Sequence, residues 1–212
     1  MNHTRIERAI LTEVERFQFA FPDLIVGTLS DVAAGDVISR LVQRRTLHAK
    51  RSLSGHAYLL IPRRKPPTSQ SVARALGIHT FCCGDSHRRT FLLKAELTRY
   101  FPTLFQAGLP RGYYVDVTGK HPVLGHLRVD VGPDDIVRIV QRCHQLARRH
   151  QQLNGFQRLI AAGQFEITYL VATEQKAHRL SAALRPLELT GVRCIAESVP
   201  VLLDLIAPLP AP

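Results

Sequence analysis

Ser39, Arg40, Gln43 and Arg44 recur at three- and four-residue spacing, so on an α-helix they share one side. Their chemistry suits the edges of base pairs. A guanidinium offers two parallel donors to guanine, a carboxamide matches adenine, and a hydroxyl reaches a phosphate or a base. Arg45, Lys50 and Arg51 follow closely and read as phosphate clamps. A second set, Arg138, Arg142, Gln145 and Arg149, repeats the spacing; it reads equally as an extension of a DNA footprint or as a solvated face opposite an apolar stripe. His79, Cys82, Cys83 and His87 invite a zinc reading. Vicinal cysteines project in different directions, however, and four ligands so close in sequence need a very cramped loop, so no metal is expected and the cysteines read as small buried residues.

The elements that must position these side chains follow from periodicity. Thr4 and Glu7 have capping-box spacing, and Ile6, Ile10, Val14 and Phe17 recur at helical intervals, which predicts a helix over Thr4 to Phe17. After Phe21-Pro22 comes a less regular stretch, Asp23 to Leu29, and Ser30 to Ala34 suits a short second helix. From Asp36, Val37, Ile38, Leu41 and Val42 form an apolar stripe whose opposite side is the basic set. His48 to Leu53 and His56 to Ile61 then read as two strands around a Ser54-Gly55 turn. Helix, helix, basic helix and hairpin is the order of a winged helix-turn-helix, expected over residues 1–65. The Arg63 to Gln70 stretch, with Pro66-Pro67 and a charge run, reads as a linker.

A second, α/β domain is expected over residues 71–206, making the chain α+β overall. Its elements are a helix from Arg88 or Thr90 to Tyr100, strands Gly112 to Thr118 and Val123 to Val131, and a long helix Asp134 to Gln151. Ile136, Val137, Val140, Cys143 and Ala147 form the apolar side of that helix. A helix over Gly155 to Ala162, a strand Phe165 to Ala172, a Thr173-capped helix to Leu184, a strand Val192 to Glu197 and a last helical turn over Val199 to Leu205 complete it.

Composition narrows the partners. Lys and Arg total 28 against 17 acidic residues, a formal charge of +11, which favours polyanions. Within Met1 to Lys65 eleven basic residues face six acids, and eight of the eleven fall from Arg40 onward, as a phosphate-facing surface requires. No signal-peptide pattern or membrane-length apolar run is present, and Cys82, Cys83, Cys143 and Cys194 do not make a disulfide framework, so a soluble protein of the cytoplasm is expected. The Gly112 to Lys120 stretch lacks phosphate-loop spacing, and Gly84-Asp85-Ser86-His87 is not a nucleophile elbow.

A basic winged helix followed by Tyr113-Tyr114-Val115-Asp116, a Gly119-containing turn, Leu127-Arg128-Val129-Asp130 and a later strand-helix-strand resembles the replication-relaxation family. The resemblance implies a winged helix fused to a divergent PD-(D/E)XK, restriction-endonuclease-like domain, and a plasmid or other mobile-element DNA-handling protein. In active nucleases of that fold, carboxylates on successive strands bind Mg²⁺ and a Lys two positions after the second orients the attacking water. The resemblance places Asp116 at the first position, Asp130 at the second and Glu96 as a third oxygen ligand. No Lys follows Asp130, where Val131 and Gly132 stand, and Lys120 in the adjoining turn is a candidate substitute. A catalytically silent domain kept for binding or dimerisation is therefore expected, with Arg128 and Asp130 pairing with each other or with Asp116 across the hairpin.

These readings converge on a protein of double-stranded DNA, a transcriptional regulator or a replication or transfer accessory factor, without a cofactor and with a homodimer on paired half-sites as an option. Two alternatives stand beside it. One is a Mg²⁺-dependent nuclease built on Glu96, Asp116, Asp130 and Lys120; the other is an adaptor whose basic surface meets an acidic protein.

Overall fold

The computed structural model describes residues 3–29, 33–52, 55–62, 68–84, 89–104, 111–132, 135–185 and 191–206. They form an α+β chain that divides into two compact units, one of Met1–His87 with Val201–Pro212 and one of Arg88–Pro200.

The first unit begins with α1 (His3–Phe17), in which Ile6, Ile10, Val14 and Phe17 are buried as the apolar spacing dictates. A two-residue strand β1 (Phe19–Ala20), α2 (Pro22–Leu29), α3 (Ala34–Gln43) and the hairpin β2 (His48–Arg51) and β3 (Ala57–Leu60) follow. β3 is central in the sheet order β1-β3-β2, with both pairings antiparallel. The core joins Ile6, Ile10 and Val14 to Ile25, Val37, Leu41, Leu47 and Leu59. The second helix therefore occupies Pro22–Leu29, the stretch read as irregular; Pro22 is pre-set for a first helical turn, and Phe21 accepts the Ile25 N–H through its carbonyl. Of the expected Ser30 to Ala34 helix, residues 30–32 lie outside the described residues.

α4 (Ser69–Cys83) is an addition that the proline and charge run concealed. Thr68 caps it, its hydroxyl accepting the Ser71 N–H at 3.2 Å. The helix packs on β1 and on the final helix Val201–Ile206. At Gly77 a β-carbon would come within 2.7 Å of the Leu202 side chain. The two units consequently part after His87, not at the Arg63 to Gln70 stretch, and the end of the chain belongs with the first unit.

The second unit is a five-stranded mixed sheet, β4 (Arg89–Phe91), β5 (Tyr113–Asp116), β6 (Val123–Val129), β7 (Phe165–Val171) and β8 (Arg193–Ser198), in that spatial order. β4, β5 and β6 meander antiparallel, while β6, β7 and β8 run parallel. The sequence suggests helix from Arg88 or Thr90, but Arg89–Phe91 pairs with β5 and helix α5 is confined to Lys94–Tyr100. The crossovers carry α6 (Ile136–Gln151), α7 (Asn154–Ala161) and α8 (Glu174–Leu184). Their Ile139, Cys143, Leu146, Phe156, Leu180 and Leu184 bury one face of the sheet through Tyr113, Leu124, Phe165, Ile167, Tyr169 and Cys194. The buried side of α6 runs through Ile139, Cys143, Leu146, Ala147 and His150, so Val137, expected inside, is 58% exposed.

The other face of this sheet carries a polar cluster beside the buried Leu127 and Leu170. Tyr114 lies across Gly125 on the neighbouring strand, and its hydroxyl hydrogen-bonds Glu166 and Thr168 on β7, one strand further. Glycine is required there because a β-carbon would overlap the Tyr114 ring. No helix among the described residues is long and apolar enough to cross a membrane.

Candidate nucleic-acid interface

α3 turns Ala34, Val37, Ile38 and Leu41 inward. By the 3.6-residue repeat this leaves Ser39, Arg40, Gln43 and Arg44 outside, and all four are exposed. Arg40 is tied back to α1 by its guanidinium, 2.9 Å from His3 Nδ1, a partner that spacing alone did not reveal. The Ser39 hydroxyl donates to the Gly35 carbonyl at 3.0 Å, so its one donor is used within the helix and only its lone pairs face outward.

The end of α3 fixes the next cation. Arg45 N–H donates to Val42 O at 3.0 Å and Thr46 N–H to Leu41 O at 3.0 Å, the paired bonds of a Schellman C-cap. That motif needs a left-handed residue, and Arg45 supplies it at φ 58°, where glycine is the unstrained choice. The chain then enters β2, whose His48, Ala49, Lys50 and Arg51 are all exposed while β3 behind it buries Tyr58, Leu59 and Leu60. Arg40, Gln43, Arg44, Arg45, Lys50 and Arg51 thus stand outward on one helix and the strand that follows it. A surface so built can donate hydrogen bonds to phosphates and base edges.

In the second unit Arg138, Arg142, Gln145 and Arg149 are all exposed on α6, opposite its buried stripe.

The carboxylates suggested for Mg²⁺ are not brought together. Asp116 pairs in register with Val123 at the start of β6, whereas Asp130 follows the last residue of that strand, a separation of about 23 Å along it. Each has its own cation. Asp116 accepts from Arg89 Nε at 2.9 Å and from the Thr118 N–H at 2.7 Å; burial works against its charge, but Thr118 and Arg89 outweigh that and hold it below the usual carboxylate range. Asp130 pairs with Lys176 and accepts the Gly132 N–H at 3.3 Å. The expected pairing of Arg128 with Asp130 or Asp116 is thereby replaced, because Arg128 faces outward on β6, Lys176 rises from α8 and Arg89 from β4. Glu96 accepts the Leu93 N–H at 2.8 Å at the start of α5, and Lys120 is exposed.

Arg89 also donates through both terminal nitrogens to Glu197 on β8, at 3.1 Å each. Burial opposes its charge, but Asp116 and Glu197 raise its affinity for the proton. Glu197 itself is raised by burial, with Arg89 opposing and Glu166 and Asp116 adding to the shift. One guanidinium therefore engages two carboxylates carried by different strands. Nothing in the sequence pairs residue 89 with residue 197; only the sheet order does.

Among the described residues one group has metal-ligand chemistry at short range: Glu13, His79 and Cys83, with donor atoms within 4.8 Å of one another. The ring argues against an ion. Phe21 N–H donates to His79 Nδ1 at 3.0 Å, so that nitrogen's lone pair is engaged and the neutral ring carries its proton on Nε2. Burial pushes His79 down to about 4 and the Cys83 thiol up to about 11, with Glu13 adding to the latter. Cys82, Cys83, Cys143 and Cys194 are buried, and His87 lies outside the described residues.

Comparison with known protein families, curated proteins and solved structures finds no match to this chain.

Proposed function

We propose that this protein binds double-stranded DNA through α3 and β2 of its first unit, as a regulator or as an accessory factor of replication or transfer. The observation that carries the reading is the outward placement of Arg40, Gln43, Arg44, Arg45, Lys50 and Arg51 on one helix and its following strand. Element order supports it. The sequence α1-β1-α2-α3-β2-β3 with sheet order β1-β3-β2 suits a winged helix, in which α3 enters the major groove and the hairpin follows the adjacent backbone. The replication-relaxation likeness rests on the same order together with the β5–β6 hairpin.

Under this reading the second unit supports binding or dimerisation rather than cleavage. Asp116, at the end of β5 beside the start of β6, and Asp130, just past the other end of β6, are each engaged by a basic side chain, so a nuclease based on them has no assembled centre and no cofactor is assigned.

Selection of bound fragments from a pool of random duplexes, followed by anisotropy titration of the winners at several salt concentrations, tests the function. An enriched sequence bound more tightly than the unselected pool, with affinity falling as salt rises, is the expected result. No retained DNA at low salt overturns the reading.

A further inference from the structure

We infer that the outer face of α6 is a second, sequence-independent track for the phosphate backbone of duplex DNA. This rests on the DNA-binding reading of the first unit and adds to it a distinct surface with a distinct task.

The argument begins with what the segment lacks. From Ile136 to Phe165 the chain has no Asp or Glu, yet it includes Arg138, Arg142, Arg148, Arg149 and Arg158. The exposed residues of α6 are Val137, Arg138, Gln141, Arg142, Gln145, Arg148 and Arg149. Apart from one valine, every outward side chain is thus an arginine or a glutamine, and each carries N–H donors. The side that packs on the sheet is fixed by Ile139, Cys143, Leu146 and Ala147, so the donor face cannot rotate inward.

Spacing selects the ligand. Arg138, Arg142, Gln145 and Arg149 fall within about 60° of one another around the helix and span about 16 Å along it. Over that length a duplex presents on the order of ten backbone charges. A linear array of planar forks meeting a linear array of phosphates is a match of both charge and geometry. A protein partner fits less well, because stable protein interfaces centre on buried apolar or aromatic anchors and this face offers Val137 alone. A single strand fits less well too, since the face has no aromatic side chain on which a base could stack.

The division of labour follows from the side chains and from element order. The α6 stripe sets three arginines and Gln145 outward, and its three cations can neutralise phosphates without regard to sequence, whereas base discrimination belongs to α3 by the winged-helix order of the first unit. The full chain carrying Arg138→Gln, Arg142→Gln and Arg149→Gln, which keeps donors and helix propensity while removing three charges, is compared with wild type by anisotropy on a selected and an unselected duplex. The log–log salt slope is expected to become shallower by about three, with roughly tenfold or greater weakening on both duplexes alike and the preference between them unchanged. If the triple variant binds both with wild-type slope and affinity, the α6 track is overturned while the reading of α3 stands. If wild type itself fails to bind, both fall, and if the triple variant loses preference but not slope, α6 reads bases and the inference is wrong. Should the triple variant lose its cooperative melt, Arg138→Gln and Arg149→Gln made singly are each expected to lower the slope by about one, and an unchanged slope in both overturns the proposal.

Discussion

Arg89 on β4 and Glu197 on β8 meet at 3.1 Å although their strands are the two edges of a five-stranded sheet. Flat strands would set those edges about 19 Å apart. The sheet therefore coils toward the face opposite its helices until its ends are bridged by one guanidinium, which reaches Asp116 with its remaining nitrogen. Arg89→Met keeps the stem and removes the charge, leaving two carboxylates without their cation. Loss of a partner from a buried pair costs about 3–5 kcal/mol; partial exposure of Glu197 reduces this, and about 2 kcal/mol is expected. Urea unfolding followed by circular dichroism checks it, and a midpoint equal to wild type would show that the sheet coils without the bridge.

Gly125 and Tyr114 make the second constraint on that face. Gly125→Ala sets a methyl group where the Tyr114 ring lies, so the ring must leave and its hydrogen bonds to Glu166 and Thr168 are lost with it. The expected cost is more than about 3 kcal/mol, among the larger single-site effects. Tyr114→Phe removes only the hydroxyl and is expected to cost about 1–3 kcal/mol. Thermal melts of the two variants should rank in that order.

Much of this fold was legible because most helices and strands advertise one buried side. Ile6, Ile10, Val14 and Phe17 specified α1, and the apolar run from Phe165 announced a strand, which the structure buries along its whole length. The errors arose where the stabilising partner is distant. Phe19–Ala20 is a strand only because Leu59 and Leu60 pair with it. Arg89–Phe91 looks helical until β5 is beside it. α4 follows a proline and charge run that reads as linker, and its buried His79, Cys82 and Cys83 mimic a zinc motif. The outward placement of Arg40, Gln43 and Arg44 was legible from the stripe opposite them, while the separation of Asp116 from Asp130 needed the strand register.

Three buried histidines set an acid limit on stability. Burial takes His79 in the first unit and His150 in the second down to about 4, and His126 well below its ordinary value, with His150 and Arg128 adding to that shift. Tyr113 faces both rings of the second unit, with its hydroxyl 2.7 Å from His150 Nε2. The unfolded chain takes up these protons near pH 6.5, before the folded one does. Stability is accordingly complete above pH 6.5 and is lost as pH falls toward 4, by about 3 kcal/mol each for His79 and His150. Glu197, raised in the folded state, opposes this trend, and Asp116, lowered there, contributes to loss only at lower pH. The urea midpoint should fall steadily from pH 7 to 4, and a flat profile over that window would refute the assignment.

For the DNA-binding reading, Arg40→Ala with Arg44→Ala should abolish discrimination between a selected and an unselected duplex. Each lost bidentate base contact is worth about 1–3 kcal/mol, so the double variant is expected to bind a selected sequence roughly a hundredfold more weakly or worse, while its melt stays near wild type because both side chains are exposed. Preserved discrimination in an anisotropy titration would assign recognition to another surface.

Arg45 separates stability from function most sharply. It closes α3 at φ 58°, a conformation that costs a residue with a β-carbon roughly 1 kcal/mol and costs glycine almost nothing. A Schellman cap therefore favours glycine at this point on stability grounds alone. An exposed arginine gains nothing from burial there, and the proposed role in gripping a phosphate supplies a reason for it to stand in a strained position. Arg45→Gly is expected to raise unfolding stability by about 0.5–1 kcal/mol and at the same time to make the salt slope of DNA binding shallower by about one. Arg45→Lys keeps the charge and the strain, so it should leave both quantities near wild type. A glycine variant that is more stable and binds DNA with unchanged slope would remove Arg45 from the interface, because the strain would then be relieved at no cost to binding.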